Sequence, residues 1–169
     1  MCAWGRADIE LAVEAGVRPV LVLRDLGDNA AVLRALDGLP KDALVYSHPQ
    51  YTSAVLTPAV VGKARSVGIL PSGAKVSKVE LEEVRALRDA AGAEFALFDG
   101  RCRHVQASVT AGATGVVAVP LTVLPEDLPP RENAEALQAV IDRGQIVVDA
   151  HDSVAAQAEA LRGLLLATL

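Results

Sequence analysis

Two tyrosines, three histidines and two cysteines are the scarce reactive residues of this chain, and their spacing excludes more chemistry than it assigns. Cys102 and His104 stand two apart, but His48 and His151 are distant and there is no second cysteine pair, so no metal site is expected. Ser47-His48 lacks the G-x-S-x-G setting of a hydrolase nucleophile. PSGAK, starting at Pro71, lacks the spacing of a phosphate loop, and no apolar run is followed by G-x-G-x-x-G, so no nucleotide cofactor is expected either. What remains lies at the ends of apolar runs. Tyr46 closes one, and Asp99, Gly100 and Arg101 follow another. Parallel β-α sheets place their ligands at such ends, although Asp-Gly is also an ordinary turn.

The chain carries 16 Lys plus Arg against 21 Asp plus Glu, a net charge of -5, which offers no basic footprint for nucleic acid or an anionic membrane. Only 3% of its 169 residues are aromatic while 51% are hydrophobic, so the core must be built mainly from Ala, Val, Leu and Ile. Two cysteines are too few for a disulfide framework, the start MCAWGRADIE has no apolar signal region, and no run reaches the length of a membrane span. A reduced, cytoplasmic protein is the expectation.

The elements that must position these residues are visible in the apolar runs. PVLVL ending at Leu23, ALVY ending at Tyr46, VGIL ending at Leu70, FALF ending at Phe98 and GVVAV ending at Val119 are apolar on successive residues. That is the pattern of strands covered on both faces of a parallel sheet. Their starts lie 21 to 28 residues apart, enough for a strand and a helix, so an α/β fold of right-handed β-α units is predicted. The helices have their own punctuation: Ala7 to Ala15 before Gly16, AAVLRAL behind Asp28 or Asn29, one opened by Thr57-Pro58, and Arg103 to Ala111 before Gly112. Ser77 and Glu80 form a capping box for LEEVRALRDA, which ends at Gly92; Pro130 opens a helix that stops at Gly144, and Ser153 to Leu169 forms an apolar last one. No linker divides the chain, so 1–169 reads as one domain.

With the strand ends located, LVYSHPQYTSAVLTPAVV resembles the fifth-strand region of the dihydrodipicolinate synthase and N-acetylneuraminate lyase family, where a strand ends Y-N-x-P before a helix opened by Leu-x-Pro. Tyr46, Pro49, Thr52, Leu56 and Pro58 fall on that pattern. VGILPSGAKVSKVELEEV is similar to the family's sixth strand and helix, FALFDG to its seventh strand, and AGATGVVAVPLTVLPE to its eighth. The resemblance runs from about Ala15 to the C-terminus. It implies a partial (β/α)8 barrel of about the last five strands, since a whole barrel takes about 250 residues; an open doubly wound sheet is the alternative.

The resemblance also implies where the chemistry departs. The family's sixth strand ends V-G-I-K, and its lysine forms a Schiff base with a 2-oxo acid, because the carbonyl must become an iminium before the adjacent carbon can act as a carbanion. Aligned on VGIL, this chain has Leu70 there, with Lys75 five residues on in a loop or helix start, where a solvated lysine is the expectation and a relocated Schiff-base lysine, reached by a different backbone path, the alternative. Tyr46 matches the family's proton-transferring tyrosine; a buried tyrosine with a hydrogen-bonded hydroxyl is the other reading. Thr52, Leu70, Gly100 and Val119 mark the matching binding end. Tyr51 stands where many family members have a carboxylate-binding arginine, and the Gly-Thr-Thr turn that holds the pyruvoyl carboxylate has no counterpart.

The expected protein is therefore a family-like chain without the Schiff-base lysine, an altered member or pseudoenzyme that binds a small oxo-acid or sugar acid, or a partner subunit. The alternative is an active lyase or hydratase whose site another chain completes. Half a barrel leaves one sheet face bare. A homo-oligomer or a complementing barrel-half chain is the expected cover.

Overall fold

Six short parallel strands alternate with helices in the computed structural model, which describes residues 1–101, 104–118 and 133–166. The strands are β1 (Cys2–Ala3), β2 (Val20–Val22), β3 (Leu44–Ser47), β4 (Gly73–Val76), β5 (Ala96–Asp99) and β6 (Gly115–Val116). Between and after them come α1 (Arg6–Glu14), α2 (Asn29–Leu36), α3 (Pro58–Ser66), α4 (Leu81–Ala91), α5 (Val105–Thr110), α6 (Ala134–Asp149) and α7 (Val154–Leu166). Each strand pairs in parallel with the next, in the order β1-β2-β3-β4-β5-β6. The sheet is not closed. Its order never reverses, so it is a stretch of (β/α)8 barrel wall, open as the alternative allowed but without the switch point of a doubly wound sheet.

The register divides the strand residues into two faces. Leu21, Val45, Ala74 and Leu97 pair across β2 to β5 and are buried in one aliphatic core with Val32, Leu36, Val60, Val61, Val84 and Leu87 from the helices. Each such side chain contributes about 1.5–3 kcal/mol of burial. The opposite face carries Leu44, Gly73 and Ala96 in one row, and Val22, Tyr46, Lys75, Phe98 and Gly115 in the next. Leu44, Tyr46, Lys75, Ala96, Phe98 and Gly115 are only half-buried, whereas the helix-facing row beside them is buried.

Four of the predicted strands form at their runs: β2 and β6 within them, β3 and β5 running one residue past the end, to Ser47 and Asp99. The third run does not. VGIL is not a strand, because Val67 caps α3 and Gly68 turns left-handed at φ +78°. The Gly68 N–H donates to the Arg65 carbonyl and the Ile69 N–H to the Ala64 carbonyl, the bond pair of a Schellman cap, with Ile69 and Leu70 packing on the helix-side core. The strand begins at Gly73, where a Cβ would lie 2.3 Å from the Ala96 carbonyl oxygen and 2.9 Å from Leu44 Cδ2. Only glycine lets three strands approach there.

Three smaller expectations change as well. Ser77 forms no capping box: Glu80 is the N-cap residue of α4, makes no side-chain cap bond, and pairs with Arg101 at 2.5 Å. Gly144 does not stop a helix, since α6 continues to Asp149 and buries Gly144. Of the last helix, Leu161 is buried, whereas Val154 and Leu166 are exposed. Asp28 and Thr57 cap α2 and α3 as predicted, their side chains accepting from Ala31 and Val60 N–H. Among the described residues no helix is long and apolar enough to cross a membrane.

Candidate functional site

Lys75 stands in the strand β4, which begins six residues after the start of the run VGIL that the sequence pointed to. It pairs with Tyr46 of β3 on one side and Phe98 of β5 on the other, so its side chain leaves the inner face of the sheet. Its Nζ lies 4.1 Å from the centroid of the Tyr46 ring. A cation over a ring face gains about 0.5–1 kcal/mol at a partly exposed site, enough to bias where the ammonium rests.

The loop after β5 closes on the same lysine. The Gly100 N–H donates to the Val76 carbonyl at 2.7 Å. A Cβ at Gly100 would stand 2.6 Å from Lys75 Cε and 2.3 Å from Ser77 Oγ, so the absence of a side chain makes room for the lysine stem. Asp99 is buried, with one carboxylate oxygen accepting from the Arg101 N–H at 2.7 Å and the other from Ser108 Oγ at 2.5 Å, which holds the turn that carries Gly100.

Around this lysine the loops after β1 and β3 bring rings together. Tyr51 is edge-on to Trp4 and to Tyr46, with both centroid separations 5.9 Å, and His48 lies 5.5 Å from Tyr51 and 6.0 Å from Tyr46. Thr52 fixes the β3 loop: its hydroxyl donates to the Leu26 carbonyl at 2.8 Å and accepts from the Leu26 N–H at 3.0 Å. His48 Nδ1 accepts from the Gln50 N–H at 2.9 Å, which leaves the ring proton on Nε2 in the neutral imidazole. Partial burial, then the charges of Lys78 and Lys75, hold the His48 pKa below its ordinary 6.5.

The predicted site residues thus separate. Tyr46 and Gly100 meet at Lys75, and Thr52 lies at the same end with its hydroxyl already engaged by Leu26. Leu70 does not belong there. It precedes β4, beside Arg65, Pro71 and Phe95 at the opposite end of the strands, so a leucine does not occupy the strand position facing Tyr46. Val119 and Cys102 lie outside the described residues, among which no three His, Cys, Asp or Glu gather as a metal site. The sequence reading gave Lys75 only as an alternative and missed His48 and Trp4 as members of this site.

A depression of about 450 Å³, lined by Asp25, Leu26 and the loop 49–53, adjoins the site on the side of Tyr51. A cavity of about 910 Å³ lies elsewhere, between α5 and α6. Its rim residues His104 and Asn133 adjoin undescribed segments, and no strand end reaches it.

No protein-family profile matches the chain, and no curated protein does. Solved structures match it well. A 2-keto-3-deoxygluconate aldolase from Picrophilus torridus aligns with a TM-score of 0.70 and 18% identity over 90% of this chain and 61% of its own. A dihydrodipicolinate synthase from Thermotoga maritima gives 0.69 and 14% over 93% and 68%, and a pyruvate-complexed one from Acinetobacter baumannii gives 0.70 and 15% over 92% and 58%. The likeness is one of fold, and it falls on the synthase and aldolase structures to which the strand-end motifs pointed. The chain spans about three fifths of the length of the first of these matches.

Proposed function

We propose that this chain carries the imine-forming wall of a class I aldolase-type site and acts on a small 2-oxo acid, with Lys75 as nucleophile and Tyr46 as the proton-transfer group. One observation supports it above the others: Lys75 is the inner-face residue of β4, in register with Tyr46 and with its Nζ 4.1 Å from that ring. This favours an active lyase over a pseudoenzyme, because the leucine that argued for a pseudoenzyme lies at the other end of the strand.

The reaction needs an amine beside a proton donor. The Lys75 amine adds to the ketone carbon, the adduct loses water as its hydroxyl is protonated, and the resulting iminium withdraws electrons from the neighbouring carbon, so that a carbon–carbon bond there can break or form. Tyr46, against the amine, is the group positioned to carry protons through these steps. Lys78 adds positive charge near His48 and suits an acid substrate.

The inner face asks for a partner. Leu44, Ala96 and Phe98 are half-buried there and Val117 is 41% exposed; a few hundred Å² of apolar surface costs several kcal/mol at roughly 25 cal/mol per Å². A second copy, or a chain with the remaining barrel strands, covers it in this proposal.

Borohydride reduction in the presence of pyruvate tests the reading on the chain as it stands. A single reduced adduct on Lys75, lost in Lys75→Met, is expected. No adduct at high pyruvate, or one on Lys41 or Lys63 instead, overturns it.

A further inference from the structure

The chain has one tryptophan and two tyrosines, and the three form one row that starts at Lys75: Tyr46 lies against the lysine, Tyr51 against Tyr46, and Trp4 against Tyr51. Packing does not account for this, because the core is aliphatic and Trp4 is half exposed. Trp4 follows the edge strand β1, and Tyr51 belongs to the loop after β3. Their rings meet at 89° across the mouth of β2, whose following residue pair Arg24-Asp25 supplies a guanidinium 5.4 Å from the Trp4 centroid. The loops after β1 and β3 thus bring a row of rings together, with the amine at its Tyr46 end. An aromatic pair of this kind is a recognition surface for a flat apolar group, with a specific preference for edge-to-face or offset contact.

The charges around the wall narrow its ligand. Arg24 is paired with Asp25 at 2.8 Å, and Arg101 with Glu80 at 2.5 Å, so these two arginines, among the described residues, already have carboxylate partners. The charge of Lys78 bears on His48 and suits the carboxylate of an oxo acid. At Trp4 and Tyr51 the arginine shown against the rings, Arg24, is the one paired with Asp25, so among the described residues it offers no free guanidinium to a second carboxylate.

We infer that the Trp4–Tyr51 wall is the subsite for the second reactant at Lys75, and that this reactant is an uncharged aromatic aldehyde. The inference rests on the imine reading above. The iminium formed from the oxo acid loses a proton from the carbon next to it; that carbon bonds to the aldehyde carbon while the aldehyde oxygen takes up a proton. Water then releases the product and restores the Lys75 amine. Nothing is oxidised or reduced overall, and cleavage runs through the same steps in reverse.

The single tryptophan makes the test direct, since fluorescence and the indole N–H resonance both report on Trp4 alone. The probe is benzyl alcohol, which has the ring of the proposed reactant and cannot form an imine, with glycerol as the non-aromatic control. A saturable change with benzyl alcohol and none with glycerol is expected, weakened about threefold or more in Tyr51→Ala, with Tyr51→Leu as the bulk-preserving variant should the alanine form not fold. No saturable change, an equal response to glycerol, or unchanged affinity in a folded Tyr51 variant overturns the subsite. Pyruvate trapping is read separately: an adduct on Lys75 without benzyl alcohol binding removes the subsite and keeps the imine, and binding without an adduct does the opposite.

Discussion

Adding one methyl group at Gly100 tests whether the position of Lys75 is the reason for that glycine. The new Cβ would stand 2.3 Å from Ser77 Oγ, 2.6 Å from Lys75 Cε and 3.1 Å from the Val76 carbonyl oxygen. Comfortable carbon contacts are about 3.5–4.0 Å, so the lysine stem must move by about 1 Å, whereas the carbonyl needs only a few tenths. The two hard contacts are with side chains that can turn away. Stability should therefore fall by the lower part of the usual overpacking range, about 1 kcal/mol, or about 2–4 °C in Tm for a chain of this size. Reactivity should fall much further, because a 1 Å misplacement of a reacting group costs about 100-fold. The assay pairs thermal unfolding by circular dichroism with the rate of pyruvate trapping. Gly73→Ala is the contrast, since its Cβ would meet the Ala96 carbonyl at 2.3 Å, a backbone atom that can move only if β4 leaves β5. That variant should lose more than about 3 kcal/mol or fail to fold. Trapping at the wild-type rate in Gly100→Ala would refute the argument, as would a loss of stability equal to that of Gly73→Ala.

Thr52→Val removes both hydroxyl bonds to Leu26 and leaves a part-buried N–H unpaired, so unfolding in urea should show a loss of about 1–3 kcal/mol, with Thr52→Ser close to wild type. His48 should titrate below 6.5 by NMR, and Lys78→Met should move it back toward 6.5. Because burial and the two lysines lower the folded pKa, the unfolded chain binds the proton first; stability should decline as pH falls from 6.5 through the folded value, and less so in His48→Gln. Light scattering of a dilute sample should show an oligomer, since Val117 and the half-buried inner row are otherwise wetted; a stable, cooperatively unfolding monomer would remove the need for a covering partner.

The helix-facing half of the fold was legible because each of its signals is local. Asp28, Thr57-Pro58, Gly16, Gly92 and Gly112 act on backbone groups within a turn of themselves, and each ends or begins a helix as read. Apolar runs at PVLVL, ALVY and FALF become β2, β3 and β5 because nothing else competes for them. Gly144 misled for the same reason inverted: it is buried inside α6, where packing overrides the poor helix propensity of glycine. Cys2–Ala3 was illegible, since two residues become β1 only by pairing with Val20 and Leu21.

The candidate site was half legible, and the missing half follows from one misread glycine. Gly16 and Gly112 end helices left-handed, each followed by an N–H that reaches back to the third-last helical carbonyl, and the next strands begin four and three residues later, at Val20 and Gly115. Gly68 makes the same cap with the same two bonds. Consistent treatment puts its strand several residues on, past Pro71, and β4 begins at Gly73. With the apolar run VGIL taken as the strand, Leu70 faced Tyr46; with VGIL as the cap of α3, Lys75 does. The difference is chemical, because a leucine there has no amine and a lysine has one. The proximity of Gly100 to Lys75 and of Trp4 to Tyr51 has no such local signal, since it depends on how β4 and β5, and β1 and β3, lie side by side. A residue pattern can name the strand that holds a nucleophile, but the neighbours that shape its reactivity come from strands tens of residues away, and they become readable only once the register is known.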